Sequence, residues 1–215
     1  MPALDPKQPV FEGLEVYRDL THRFSLLYPT GWVCRELPTR EQQEKPSGGQ
    51  QVKQQPKQQH GGKQGDRRAI CLPDPAEPDS FLLIQSRRLR TTIQPDDLDE
   101  LREGMRDGLE SLPGAEVESL EGETVGDLIT LEAHHTFREG DAVRRRWTRL
   151  LYQGTVQLGL TAQGATEERF AYWRPMFNTV MRTVKFADWW AEMIGASWKR
   201  QAYKVPRRAR TNMPT

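Results

Sequence analysis

Residues 151–186 read LYQGTVQLGLTAQGATEERFAYWRPMFNTVMRTVKF, and the pattern changes from strand to helix near the middle of this stretch. Gln153 and Gly154 separate two strand-like runs, as a tight turn between antiparallel strands does. Thr166 is a candidate N-cap, and apolar residues follow it at helical spacing: Phe170, Trp173, Phe177, Val180, Met181 and Val184. Because its ring removes a backbone hydrogen bond, Pro175 is expected to kink or divide this helix. The stretch predicts a helix packed on an antiparallel sheet.

The preceding residues extend this sheet. Apolar and polar residues alternate over 129–137, and residues 143–152 form the next strand candidate. The sequence REGD at 138–141 supplies the turn between these two runs. Together with residues 155–162, the three runs predict an antiparallel meander.

A second amphipathic helix is predicted after Pro95. Its apolar residues recur at spacings of three and four, and they are Leu98, Leu101, Met105, Leu109 and Leu112. Acidic residues crowd its first turn, where the helix dipole favours negative charge. Gly104 and Gly108 inside this helix each cost about 1 kcal/mol relative to alanine. We expect that something packs closely against the helix at these two positions.

Further strands precede this helix. Residues 17–32, YRDLTHRFSLLYPTGW, contain a strand at 24–28, a turn with Pro29 and Gly31, and a strand that opens at Trp32. Residues 69–72 and 81–86 (FLLIQS) are two more strand candidates. Two helices on an antiparallel sheet of roughly six to eight strands predict an α+β fold.

A polar segment at residues 38–68 interrupts these strands. Its only apolar side chain is Val52, and residues 41–66 contain nine glutamines. Such a composition cannot bury enough surface to offset the entropy lost on ordering, so we predict a disordered insertion.

Cys34 and Cys71 lie on either side of this insertion, in short apolar runs that can form paired strands. A disulfide bond between them is one possibility. The first nine residues, MPALDPKQP, lack the apolar run of a secretion signal, and we therefore expect a soluble, cytoplasmic protein with two reduced thiols.

The order of these motifs resembles the PsbP family, which includes photosystem extrinsic proteins, a Ran-binding nuclear import factor and bacterial relatives. The similarity is carried by residues 17–32, by FLLIQS with the helix after Pro95, and by residues 151–186. It implies an α/β/α sandwich with a central antiparallel sheet over residues 11–187, and binding or assembly rather than catalysis. Some bacterial relatives are cytoplasmic chaperones of secreted effectors. Residues 1–10, a flexible start, and 188–215 lie outside the shared domain.

The sequence predicts no catalytic residue, metal site or cofactor. It contains no G-x-S-x-G motif, P-loop or dinucleotide fingerprint. His134 and His135 are adjacent on a predicted strand, where neighbouring side chains point to opposite faces and cannot share one ion. We expect one of them on the core side, with a hydrogen-bond partner, and the other on the opposite face.

Four arginines lie on one predicted strand. Arg144 and Arg146 fall on one face and are candidate partner-binding residues, because guanidinium groups match carboxylate and phosphate geometry. Arg145 and Arg149 fall on the other face. The alternative is that these arginines pair with carboxylates of the sheet, such as Glu132.

The last 28 residues combine aromatic and basic side chains. The candidate partner-binding residues there are Trp189, Trp190, Met193, Trp198, Lys199, Arg200, Arg207 and Arg208. We expect a protein partner first and keep an anionic membrane surface as an alternative, while the pI of about 7.8 does not favour nucleic acid. The segment can also fold back on its own domain.

The sequence therefore predicts a non-enzymatic binding protein, chaperone-like or active in assembly. The alternatives are a small-ligand-binding or hydrolytic protein with a cleft between sheet and helices, and a peripheral membrane binder.

Overall fold

The computed structural model describes Pro9 and residues 12–38 and 65–187 of the 215-residue chain. The predicted flexible start, most of the glutamine-rich insertion and the tryptophan-rich extension lie outside the described residues. The strands are β1 (Leu14–Asp19), β2 (Phe24–Pro29), β3 (Val33–Leu37), β4 (Arg67–Leu72), β5 (Phe81–Arg88), β6 (Glu116–Val125), β7 (Leu128–Glu139), β8 (Ala142–Gln153), β9 (Val156–Gln163) and β10 (Lys185–Phe186). The helices are α1 (Leu98–Glu110), preceded by one 3-10 turn at Pro95–Asp97, and α2 (Glu167–Arg182).

Seven strands form an antiparallel sheet in the order β3-β4-β5-β9-β8-β7-β6, and β1, β2 and β10 form a smaller sheet. The predicted meander is β7-β8-β9, and its two turns contain Gly140 (φ 61°) and Gly154 (φ 58°). Both glycines adopt the left-handed conformation that other residues rarely accept. Edge strand β6 was not predicted, because glutamates and other polar residues interrupt its apolar alternation.

The two faces of the seven-stranded sheet are covered by different layers. Helix α2 and the small sheet bury one face, where Trp32, Trp147 and Phe177 belong to the larger hydrophobic core. Helix α1 lies on the other face and buries Met105 and Leu109 against Leu131 of β7. The predicted α+β class and the α/β/α sandwich with a central antiparallel sheet are confirmed.

Helix α2 continues through Pro175 without a break. Its predicted N-cap is confirmed, because the Thr166 hydroxyl accepts a hydrogen bond of 3.2 Å from the backbone N–H of Arg169. Trp173 and Phe177 are buried on either side of the proline. Burial of both halves against the sheet stabilises one helix in spite of the missing hydrogen bond.

The glycines of α1 do not mark close packing, and the sequence-based expectation is wrong. Among the described residues, a Cβ atom at Gly104 or Gly108 would meet no heavy atom within 4 Å. The close approach lies instead across the interface at Gly122 of β6, where a Cβ would lie 2.9 Å from side-chain carbons of Leu98 and Leu131. Helix α1 therefore contacts the sheet through its leucines and Met105, while its glycines contact no other described side chain.

Replacing Gly104 and Gly108 by alanine is expected to raise the free energy of unfolding by about 1 kcal/mol at each position. The added methyl group restricts the unfolded chain and meets no atom of the described residues in the folded one. Urea denaturation measures the change, and Gly122→Ala is the control that should lower stability because Leu98 and Leu131 must move. A loss of stability in both α1 variants would contradict this placement of the helix.

Cys34 of β3 and Cys71 of β4 form a disulfide bond, so the expectation of two reduced thiols is wrong. The two residues are direct partners in the strand register, and their Cα atoms are 4.0 Å apart. Cys71 is completely buried. The bond joins edge strand β3 to β4 across the chain segment that contains residues 39–64.

Candidate functional site

Asp19, His22 and Ser86 form a buried cluster where the β1–β2 turn meets β5. The Ser86 hydroxyl donates to Asp19 Oδ2 at 2.8 Å and lies 2.9 Å from His22 Nδ1. Asp19 also accepts hydrogen bonds from the backbone N–H groups of Thr21 at 2.8 Å and His22 at 2.9 Å. Its carboxylate forms an ion pair with Arg67 at 3.3 Å. These are the residue types of a serine hydrolase, although no sequence motif predicts their meeting.

The geometry of this cluster differs from that of a catalytic triad. In a triad, the serine and the carboxylate contact opposite nitrogens of the imidazole. Here Asp19 and Ser86 both approach Nδ1, and His22 Nε2 is buried without a hydrogen-bond partner among the described residues. Ser86 is also only 3% exposed, so a substrate cannot reach its hydroxyl. The cluster holds the β1–β2 turn on β5.

The cluster keeps Asp19 ionised. Burial acts to raise the pKa of Asp19, but the hydrogen bonds from His22 and Ser86 and the Arg67 charge together outweigh it. The pKa of Asp19 is therefore held well below its usual range. A carboxylate that stays charged in the interior has a structural role that depends on its partners.

A groove of about 350 Å³ separates α2 from strands β6–β8. Its lining residues are Glu118, Ser119, His134, Arg145, Glu167, Phe170, Ala171 and Arg174. Arg145 forms ion pairs with Glu118 and with Glu167, the latter at 2.6 Å, and its guanidinium lies over the Phe170 ring. Ser119 and His134 both line this groove, but no activating hydrogen bond between their side chains is found in the described part of the chain.

His134 and His135 lie on opposite faces of the sheet, as the strand pattern predicts. His134 lies in the groove beside α2 and stacks on Trp147, with the ring centroids 5.1 Å apart, and burial lowers the pKa of its imidazole. His135 is buried on the α1 side, where burial and the nearby Arg146 charge lower its pKa to about 4. The expected hydrogen bond is not found, because His135 Nδ1 has no partner in the described part of the chain.

The arginines of β8 are engaged within the molecule. Arg144 forms ion pairs with Asp79 at 2.8 Å and Glu139 at 3.0 Å, and Arg146 donates to Gln163 at 2.6 Å. Arg149 lies 3.6 Å from Glu132, which is the pairing suggested by the sequence. These contacts give Arg144 and Arg146 a structural role, and partner binding by them stays a prediction.

Among the described residues, no helix lies over one part of the α1 side of the large sheet. Helix α1 has its main contacts with β6 and β7, and α2 packs on the opposite face. This part, here called the open sheet face, is formed by residues of β3, β4, β5 and β9 that lie on one face in the register: Arg35, Arg68, Ile70, Leu83, Gln85, Arg87, Gln157, Gly159 and Thr161.

The open sheet face carries three arginines that sequence reasoning missed. Arg35, Arg68 and Arg87 lie on three adjacent strands, each diagonal to the next in the register. Among the described residues, none of the three makes an ion pair with a carboxylate. The available signal was that Arg68 is an even number of residues from Ile70, and Arg87 from Leu83, which indicates a shared face on each strand. Only the register between the strands assigns all three arginines to one face.

Two adjoining concavities of opposite charge lie on this side of the molecule. The basic cavity, about 330 Å³, is lined by Asp66, Arg67, Arg68, Gln85, Ser86, Arg87, Leu150, Gln157 and Gly159. The acidic groove, about 520 Å³, is lined by Glu100, Leu101, Glu103, Gly104, Met105, Asp107, Leu150 and Tyr152. Leu150 belongs to both linings, so the charge of the surface changes from positive to negative across one leucine.

The predicted partner-binding residues of the C-terminal extension, from Trp189 to Arg208, lie outside the described residues. The structure therefore leaves their role a prediction. Within the described residues, neither helix has the length and apolar character needed to cross a bilayer.

Comparison with known structures confirms the fold. The solution structure of cyanobacterial PsbP (CyanoP) from Synechocystis sp. PCC 6803 matches with a TM-score of 0.51 and 16% sequence identity, covering 83% of this chain and 95% of that protein. LpqN, described as involved in cell envelope biogenesis of Mycobacterium tuberculosis, matches with a TM-score of 0.47 and 14% identity. The match covers 84% of this chain and 90% of that protein. No family model matches the sequence, and no curated protein matches it significantly. The chain has a PsbP-like fold, as the sequence motifs predict.

Proposed function

We propose that this chain is a non-enzymatic binding protein, of the chaperone or assembly type, that holds a protein partner on the open sheet face. The observation that carries this proposal is that the described residues cover one side of the large sheet only in part. Ile70 and Leu83 remain half-buried there, between arginines that have no carboxylate partner in the described part of the chain. A sheet surface with half-buried apolar centres and charged margins is typical of a protein interface.

The chemistry of the two other candidate sites supports binding rather than catalysis. The Asp19–His22–Ser86 cluster is closed to a substrate and has the wrong nitrogen in contact with the serine. In the groove beside α2, Arg145 forms ion pairs with both Glu118 and Glu167. Within the described residues, neither site presents a base and a nucleophile in hydrogen-bond contact at an accessible position.

The tryptophan-rich extension is the second proposed contact with the partner. Chain segments that carry both tryptophan and arginine supply the residue types that dominate binding energy in many interfaces. The cytoplasmic location predicted from the sequence also stays a proposal. The Cys34–Cys71 bond argues against this location, since disulfides persist chiefly in oxidising compartments.

The proposal can be tested by photocrosslinking in the native cell. A photoreactive residue at the exposed Gln85 position should capture a discrete partner, and the same probe at Arg18, on the outer side of β1, should not. Excess unlabelled protein should compete with the capture. Equal capture from both positions, or none from Gln85, would overturn the assignment of this surface. Truncation after Ala187 in the same experiment measures what the C-terminal extension adds.

A further inference from the structure

We infer that the basic cavity and the arginines beside it bind an extended acidic segment of the partner, with carboxylates at every second residue. This inference rests on the proposed function, because it assigns a chemistry to the partner that the open sheet face holds. The spacing of the arginines, their free hydrogen-bonding groups and the charge of their surroundings support it.

The spacing of the arginines matches an extended peptide. Arg68 pairs with Gln85 in the register, and Arg87 is two residues beyond Gln85 on the same face. Arg35 is diagonal to Arg68 in the same way, on the other side of β4. Diagonal neighbours in a sheet are roughly 7–8 Å apart. Every second residue of an extended chain advances about 7 Å, so three alternating carboxylates can meet three guanidinium groups.

The guanidinium groups retain donors for a ligand. The terminal nitrogens of Arg68 make no hydrogen bond to another described residue, while its Nε is buried. Arg87 Nε donates to Gln157, which fixes the side chain and leaves its terminal nitrogens available. Arg67 lies at the end of the cavity but is already paired with Asp19 and Glu36. The binding contribution therefore comes from Arg68 and Arg87, with Arg35 extending the line.

Gly159 gives the ligand access to the floor of the cavity. It pairs with Gln85 on one side and with Leu150 on the other. A Cβ atom there would lie 3.2 Å from Leu150 Cδ2 and would fill the space between these neighbours. A larger side chain at this position would reduce the depth of the cavity without changing its charge.

The surrounding charge indicates the chemical class of the ligand and the part of the sheet on which it binds. Asp66 is the one acidic residue in the described lining of the cavity, and the acidic side chains of α1 lie beyond Leu150. An acidic segment is therefore attracted towards β3–β5 and repelled from α1. The chain's own undescribed segments are poor occupants, because residues 39–64 carry five Lys or Arg against two Glu, and residues 188–215 carry six against two acidic residues.

Two labelled peptides of equal length, composition and charge test this inference. In the alternating peptide, glutamate and serine take turns along the chain, and in the block peptide all the glutamates precede all the serines. Fluorescence anisotropy with the full chain should show tighter binding of the alternating peptide and a weakening with added salt. Arg68→Gln together with Arg87→Gln should weaken binding of the alternating peptide by roughly tenfold or more.

Matched controls separate site-specific binding from net charge. Arg18→Gln with Arg102→Gln removes the same two charges at exposed positions that do not line the cavity and should leave the affinity within roughly twofold. Gly159→Val should weaken binding without any change in charge. Equal binding of the two peptides, or equal losses in the two double variants, would overturn the inference.

The remaining outcomes are also decisive. If a short DNA duplex or vesicles with anionic lipid bind more tightly than the alternating peptide and lose affinity in the Arg68 and Arg87 variant, the cavity recognises phosphate and the inference is wrong. If both peptides fail to bind while crosslinking from Gln85 still captures a partner, the carboxylate chemistry is wrong and the proposed function stands.

Discussion

Replacing Asp19 by alanine is expected to lower the free energy of unfolding by about 3–5 kcal/mol, the cost of breaking a buried charged network. The carboxylate is fully buried and accepts from Thr21 N–H, His22 N–H and the Ser86 hydroxyl. Its removal leaves these three donors without their acceptor at a buried site, and Arg67 loses its ion pair with Asp19 but keeps the one with Glu36. Chemical denaturation followed by tryptophan fluorescence measures the loss.

The pH dependence gives an independent check of the same cluster. The pKa of Asp19 is lowered in the folded state, so the stabilisation is complete above the unfolded-state pKa of about 3.9 and is lost as the pH falls below it. The free energy of unfolding of Asp19→Ala should therefore change less between about pH 5 and about pH 3 than that of the unaltered chain. This pH range brackets the unfolded-state pKa. Asp99→Ala, at a carboxylate with 85% side-chain exposure, should cost only about 0.5 kcal/mol. Equal effects of the two substitutions would contradict the role assigned to Asp19.

Reduction of the Cys34–Cys71 bond is expected to lower the free energy of unfolding by about 3–4 kcal/mol. The bond links residues separated by 37 positions and so limits the conformations of a long loop in the unfolded chain. Comparing the oxidised and reduced forms of the same chain avoids any change of side chain. Urea denaturation with and without a reducing agent measures the difference.

Cysteine alkylation followed by mass measurement is the control for this experiment. The purified oxidised chain should show no reactive thiol after denaturation, and the reduced chain should show two, one from each cysteine. A Cys34→Ala, Cys71→Ala variant should resemble the reduced form and should not respond to the reducing agent. Unchanged stability on reduction would mean that pairing of β3 with β4 does not depend on the bond.

Local sequence patterns determined most of the elements of this fold. The alternation in residues 129–162 predicted the β7-β8-β9 meander, because period-two burial is imposed by the strand itself. The apolar spacing that begins at Leu98 predicted α1, and the N-cap at Thr166 predicted the start of α2. Each of these signals depends on residues close together in the chain, which is why the sequence alone was sufficient.

Other features depend on strand register and on contacts between residues that are distant in the chain. The pairing of Cys34 with Cys71, the meeting of Asp19 with Ser86 and the alignment of Arg35, Arg68 and Arg87 on one face all require a particular strand register. A shift of one residue would turn each of these side chains to the opposite face. Local patterns thus account for the elements and the PsbP-like class, while the packing of the strands accounts for the disulfide, the buried cluster and the open sheet face.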